Sequence, residues 1–145
     1  MEIGDWRLEI GNWRLEIGDW KLVIYMKKEE FIEKCIAFAV KVNKLRKYLR
    51  EKQHEYNNSE QIQRSGTSIG ANIREGKRPQ SDADLISKWS IALKEAEETQ
   101  YWLELLSESG YIDGEMFAKL DFQTEEIIKI LVTVIRNKKE SIQKS

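Results

Sequence analysis

His54 is the only histidine in the chain, and Glu51 three residues before it completes a Glu-x-x-His pair. Such pairs carry di-iron sites in four-helix bundles, because residues three apart share a helical face and can turn a carboxylate and an imidazole toward one metal. A complete site needs two pairs and two further carboxylates, all facing the core. Only one pair is present, so a metal-dependent bundle enzyme is a remote reading and a surface histidine near a helix end is the expected one. An arginine and a histidine with four to six residues between them, as some helical RNases use, are also missing. Arg50 stands too close to His54 and Arg46 too far. Ser65 and Ser68 do not make a Ser–His–acid set and look like packing residues. Gly66 and Gly70 lie inside a helical pattern rather than after a strand, which excludes a phosphate loop. Cys35, the single cysteine, falls on an apolar stripe and reads as a small core residue in a reducing compartment. A non-enzymatic protein without cofactor or metal is expected.

Binding chemistry remains. The net charge is −1, yet the charges are segregated. Between Lys27 and Lys52, nine basic residues against four Glu give +5; between Asp82 and Glu108, seven acidic against two basic give −5. Segregation of this kind favours antiparallel pairing of the two segments and leaves a basic face. Lys41, Lys44 and Lys47 on the first segment are candidates for phosphate contacts, as are Arg74, Lys77 and Arg78 around the turn near Pro79. Ordinary solvated surfaces are the bland alternative for both.

The elements that would hold these residues are helices. Phe31, Cys35, Phe38, Val42, Leu45 and Leu49 alternate steps of four and three, a core seam running from about Lys28 to Lys52. A second helix is expected from an N-cap at Ser59 to a left-handed C-cap at Gly76, with Ile62, Gly66, Ile69 and Ile73 on its stripe. Gly66 and Gly70 each cost roughly 1 kcal/mol against Ala inside a helix, which implies a close neighbour. The third helix opens on Ser81-Asp82-Ala83-Asp84, a Ser-x-x-acid cap, and stops at Gly110; Leu85, Trp89, Ala92, Ala96, Thr99, Leu103 and Leu106 form its seam. The fourth starts near Asp113 and carries Phe117, Leu120, Thr124, Ile127, Leu131 and Val134. Short connections imply an all-α, up-down-up-down antiparallel four-helix bundle. Apolar residues off the seams, Ile86, Trp102, Ile128, Ile130 and Ile135, suggest a subunit interface.

Before the bundle stand three near-identical heptads, residues 2–22, each with glycine beside Asp or Asn. They read as strands Trp6–Ile10, Trp13–Ile17 and Trp20–Ile24 joined by two-residue turns, a meander of small β-hairpins. A lone meander of this size is marginal. Residues 1–25 are therefore read as a disordered or fluctuating, dispensable extension, or else as an appendage that makes contacts, with 26–145 as the bundle domain. There is no apolar run of membrane-spanning length, and the acidic, glycine-interrupted start is unlike a secretory signal. No membrane partner is expected, and the cytoplasm is the expected location.

Arg64-Ser65-Gly66-Thr67-Ser68-Ile69-Gly70-Ala71-Asn72-Ile73, followed by Glu75-Gly76, resembles the hallmark of the small proteins first described from intervening sequences in 23S ribosomal RNA genes. Ile91 to Ala96, Glu98-Thr99, Tyr101 to Leu106 and Gly110-Tyr111 resemble its second block. The resemblance runs from about Phe31 to about Arg136. It implies a four-helix bundle assembled as a ring-like homo-pentamer. Members of the family include accessory proteins of diversity-generating retroelements, which implies RNA, DNA or a reverse-transcriptase-like protein as partner. Asn72 and Glu98 match polar positions of the two blocks, and with Arg64 they are expected to form a structural polar cluster between helices. The function expected is an oligomeric adaptor binding RNA or a nucleic-acid-processing protein through basic surfaces. A pure protein-assembly scaffold is the alternative.

Overall fold

The structure is a computed structural model that describes residues 7–9, 15–17 and 22–144. Four helices, α1 (Lys28–Glu51), α2 (Asn57–Glu75), α3 (Asp82–Glu108) and α4 (Gly114–Lys144), make an all-α up-down-up-down bundle. α1 packs on α2, α2 on α3 and α3 on α4, while α1 and α4 stand further apart. The diagonal is closed by Phe31 of α1 against Trp89 of α3, ring centroids 5.5 Å apart. Every seam residue named for α1 and α3 is buried, as are Ile62, Ile69 and Ile73 on α2. Phe117 is the exception on α4: it is only partly buried at the edge of the core. Of the off-seam residues, Ile130 and Ile135 are covered within the chain, whereas Ile86, Trp102 and Ile128 are half-buried. α4 continues past Lys138 to Lys144.

The helix ends are built from side chains that do not all follow the expected caps. α1 ends at Glu51, and His54 just beyond it takes a left-handed conformation at φ 52. The Glu55 amide then bonds back to the Leu49 carbonyl at 2.9 Å, which closes the helix end across six residues. Ser59 is not the N-cap of α2. It lies buried inside the helix and donates to the Tyr56 carbonyl, while the Glu55 carboxylate accepts from the amides of Asn58 and Ser59. Glutamate reaches back over the first turn here and takes the place expected of serine. Ser81 does cap α3, accepting from the Asp84 amide at 3.0 Å. Asp113 accepts from the Met116 amide at the start of α4.

Gly76 ends α2 with φ −82, not in the left-handed region. What requires glycine is proximity: a Cβ there would lie 2.4 Å from Trp89 Nε1. At Gly66 a Cβ would lie 2.9 Å from both methyls of Val42, and at Gly70 it would lie 3.3 Å from Cys35 Cβ. The two mid-helix glycines thus let α2 approach α1 closely, as their helix cost implied. Among the described residues, Gly110, at φ 82, is the glycine that uses the left-handed region.

Ahead of α1, strands β1 (Arg7–Glu9), β2 (Leu15–Ile17) and β3 (Leu22–Lys27) form a small sheet in the order β1-β3-β2. This is not the expected meander. β1 pairs with β3 in parallel, Arg7 opposite Tyr25, and β2 pairs antiparallel to β3, Ile17 opposite Leu22. The register leaves four residues between β2 and β3 instead of a two-residue turn. The glycine-free run Leu22–Lys27, rich in β-branched and aromatic residues, becomes the central strand and leads straight into α1. The turns expected at Gly11-Asn12 and Gly18-Asp19, with Trp6, Trp13 and Trp20, lie outside the described residues. β2 runs against α4, and β1 and β3 run against α1.

Candidate basic end and lysine-rimmed groove

The basic residues singled out from the sequence fall into two separate groups. Arg74, Lys77 and Arg78 sit where α2 turns into α3. The antiparallel order brings the first residue of α1, Lys28, and the late α4 residue Lys138 to the same end. Lys28 Nζ donates to the Lys77 carbonyl, Lys77 Nζ lies 3.9 Å from Glu29, and Lys138 Nζ lies 3.3 Å from Asp82. Arg74 and Arg78 are exposed and meet no carboxylate at ion-pair distance among the described residues. Lys28 is 7 % exposed. Its burial, with Lys77 and Lys138 nearby and Glu29 opposing them, lowers its ammonium from the usual 10.5 to about 8.

That shift sets an expected pH dependence. The unfolded chain holds the Lys28 proton up to about pH 10.5 and the folded chain only up to about pH 8, so the folded state carries a penalty that is complete below 8 and vanishes as pH rises through that window. The upper bound is about 3.5 kcal/mol, from roughly 1.4 kcal/mol per pH unit. Urea denaturation of the wild type and of Lys28→Met should show the variant gaining more at pH 7.5 than at pH 10. An equal difference at both pH values would show that Lys28 is not held down.

Lys41 and Lys44 belong elsewhere. They are 13 and 16 residues along α1 from Lys28, roughly 20 Å away or more at 1.5 Å per residue. With Lys119 they rim a groove of about 480 Å³ between α1 and α4, floored by Leu45, Tyr48, Met116 and Leu120 and flanked by Gln123. This is the open seam of the bundle, bridged further along by Lys34 and Glu126 at 3.3 Å. Lys47 is exposed and is not part of the groove.

Arg64 joins α2 to α3. Its guanidinium lies 2.5 Å from Glu98 and 3.5 Å from Glu95, a residue that sequence reasoning does not single out. Glu95 falls one turn before Glu98, so the spacing alone places it beside the same arginine. Burial, then the Glu98 carboxylate, pushes the Glu95 carboxyl up against the opposing pull of Arg64. Asn72 stands apart, two turns beyond Arg64, and donates to the Ser68 carbonyl at 2.9 Å. Beneath Arg64, the Ser65 and Thr99 hydroxyls meet at 2.9 Å in the buried interface. The cluster ties two helices together.

Burial lifts the Cys35 thiol to about 12, which keeps it protonated and unreactive. Because α1 stops at Glu51 while His54 is exposed beyond it, the Glu-x-x-His pair does not share a helical face. Among the described residues no group of three or more His, Cys, Asp or Glu is arranged to hold a metal ion. No helix among them is long and apolar enough to cross a membrane.

The relatives agree with this architecture. A crystal structure from Bacteroides thetaiotaomicron, of a protein of unknown function from the S23 ribosomal protein family, is 48% identical and superposes with a TM-score of 0.73. The match covers 75% of this chain and 97% of that one. No curated protein matches the chain. The family model for the 23S rRNA-intervening sequence protein matches residues 27–133, the whole of α1 to α3 and most of α4. The chain therefore belongs to the 23S rRNA-intervening sequence protein family.

Proposed function

We propose that the protein is a non-enzymatic, oligomeric helical-bundle adaptor that contacts the phosphates of structured RNA, or of a nucleic acid held by a processing enzyme, through one end of the bundle. The observation that carries this reading is the gathering of Arg74, Lys77, Arg78, Lys28 and Lys138 at that end. Phosphates are the ligand such a surface suits, because each contact releases condensed counterions without requiring a shaped pocket. Arg74 and Arg78 supply the accessible guanidinium groups, and Lys77 is half-exposed beside them. The family's name points to ribosomal RNA genes, which agrees with an RNA partner without specifying one.

Exposed Ile36, Val40, Tyr101, Phe122 and Val132 support self-association, and the family resemblance favours a pentamer. The pairing of Lys77 with Glu29 and of Lys138 with Asp82 favours the second reading, a protein scaffold whose basic end is already partly neutralised. Titrating a fluorescent RNA hairpin separates the two. An Arg74→Glu/Lys77→Glu/Arg78→Glu variant should bind tenfold or more weakly than wild type, because each reversed charge removes about one phosphate interaction. Equal affinity in the variant, or no RNA binding by either protein, would leave the scaffold reading ahead.

A further inference from the structure

We propose that Lys28 is a positioning residue for the basic turn: it holds Lys77 and Arg78 in the shape that meets phosphates and touches no phosphate itself. This rests on the RNA contact proposed for the same end of the bundle and names what fixes its geometry.

For the fold alone, Lys28 is a poor residue in its place. It opens α1, where the helix dipole gathers partial positive charge and disfavours a cation. It is buried, so its ammonium gives up most of its water. Lys77 and Lys138 repel it, and among the described residues no carboxylate lies at ion-pair distance to offset them. What the ammonium makes instead is one bond, to the Lys77 carbonyl. A residue that breaks several local rules at once points to a use other than stability.

The Lys77 carbonyl is where such a tie has an effect. Before it, the Gly76 and Lys77 amides bond back to the Asn72, Ile73 and Arg74 carbonyls of α2. After it, the Gln80 amide donates to the Asp84 carboxylate of α3 at 3.2 Å. Between those anchors, among the described residues, the Lys28 ammonium is the one partner of the turn's backbone. Glu29, the next residue of α1, faces the Lys77 ammonium at 3.9 Å. The first turn of α1 therefore grips Lys77 by backbone and side chain together, and exposed Arg78 follows at once. A turn fixed in this way has already lost freedom that RNA would otherwise have to remove on binding.

Lys28→Met in the full chain separates this role from a structural one. At neutral pH the variant should be more stable than wild type in urea. It should nevertheless bind a fluorescent RNA hairpin about three- to tenfold more weakly, the cost of ordering one or two long side chains on binding. Hydrogen exchange of the Gly76 and Lys77 amides should quicken, while exchange of core amides such as that of Trp89 slows with the gain in global stability. A double-mutant cycle with Arg78→Ala completes the test: the two losses of affinity should overlap, because Lys28 acts through the turn. A variant that is less stable than wild type, or does not fold, overturns the proposal, since Lys28 then serves the fold. Unchanged affinity, unchanged exchange at Gly76 and Lys77, or losses that add also overturn it, and leave phosphate binding by Arg74, Lys77 and Arg78 standing. A wild type that binds no RNA overturns both.

Discussion

Replacing Trp89 with alanine is expected to cost about 3–5 kcal/mol of folding stability, the range for removing a fully buried large aromatic. Trp89 is wholly buried and sits where three helices meet. Its ring lies 5.5 Å from that of Phe31 on α1, and its indole edge fills the space above Gly76 at the end of α2. Among the described residues, Trp89 is the side chain that links α1, α3 and the α2 terminus in this way. Removing it opens a void that rigid neighbours on two helices cannot close. Urea denaturation of Trp89→Ala against wild type measures the loss, and a cost below about 1 kcal/mol would show that the bundle repacks around the gap.

Gly76→Ala is expected to destabilise the protein by about 1–3 kcal/mol, although alanine has the better propensity for helical backbone. The backbone at φ −82 accepts alanine without strain, so the cost comes from overlap alone. The added Cβ would fall 2.4 Å from Trp89 Nε1, 2.7 Å from Trp89 Cδ1 and 3.2 Å from a Leu85 methyl. The indole is a rigid part of the core and cannot swing aside as a flexible side chain would. The effect should depend on the indole: in a Trp89→Ala background, which has no atoms at the positions of Cδ1 and Nε1, Gly76→Ala should cost much less. A double-mutant cycle measures that coupling directly. Additive costs would show that Gly76 is required for some other reason.

Both residues show how far the sequence can be read. The four apolar seams reveal the bundle because period and burial are tied: a residue every three or four positions must face one direction. Gly66 and Gly70 announce a close approach because nothing else justifies their helix cost. Gly76 reads as a left-handed cap, since glycine just past a helix usually is one; only the position of Trp89, thirteen residues on, reveals the steric reason. Glu55 is unreadable as a cap for a related reason, because its reach over the first turn of α2 depends on the left-handed turn at His54. The sheet order escapes because the three repeats are nearly identical, so local pattern cannot choose a partner for each strand. β3 wins the central place through residues beyond the repeat.

The candidate site is legible in part. Charge clustering points to Arg74, Lys77 and Arg78, whereas Lys28 and Lys138 join them only through antiparallel packing that no local window contains. Lys41 and Lys44 suggest the same chemistry from charge alone, because the sequence hides the apolar floor between them and α4. Glu95 needs its partner Arg64, thirty-one residues earlier, to become visible.

The measurement that bears most directly on the adaptor reading is the salt dependence of RNA affinity. For three or four phosphate contacts, log Kd should rise with log salt with a slope of about 2–4, since each contact contributes about 0.7–0.9. In the Arg74→Glu/Lys77→Glu/Arg78→Glu variant the slope should fall by about one for each phosphate interaction removed. A wild-type affinity that does not weaken with salt, or a variant whose slope matches wild type, would contradict a phosphate-binding role for this end of the bundle.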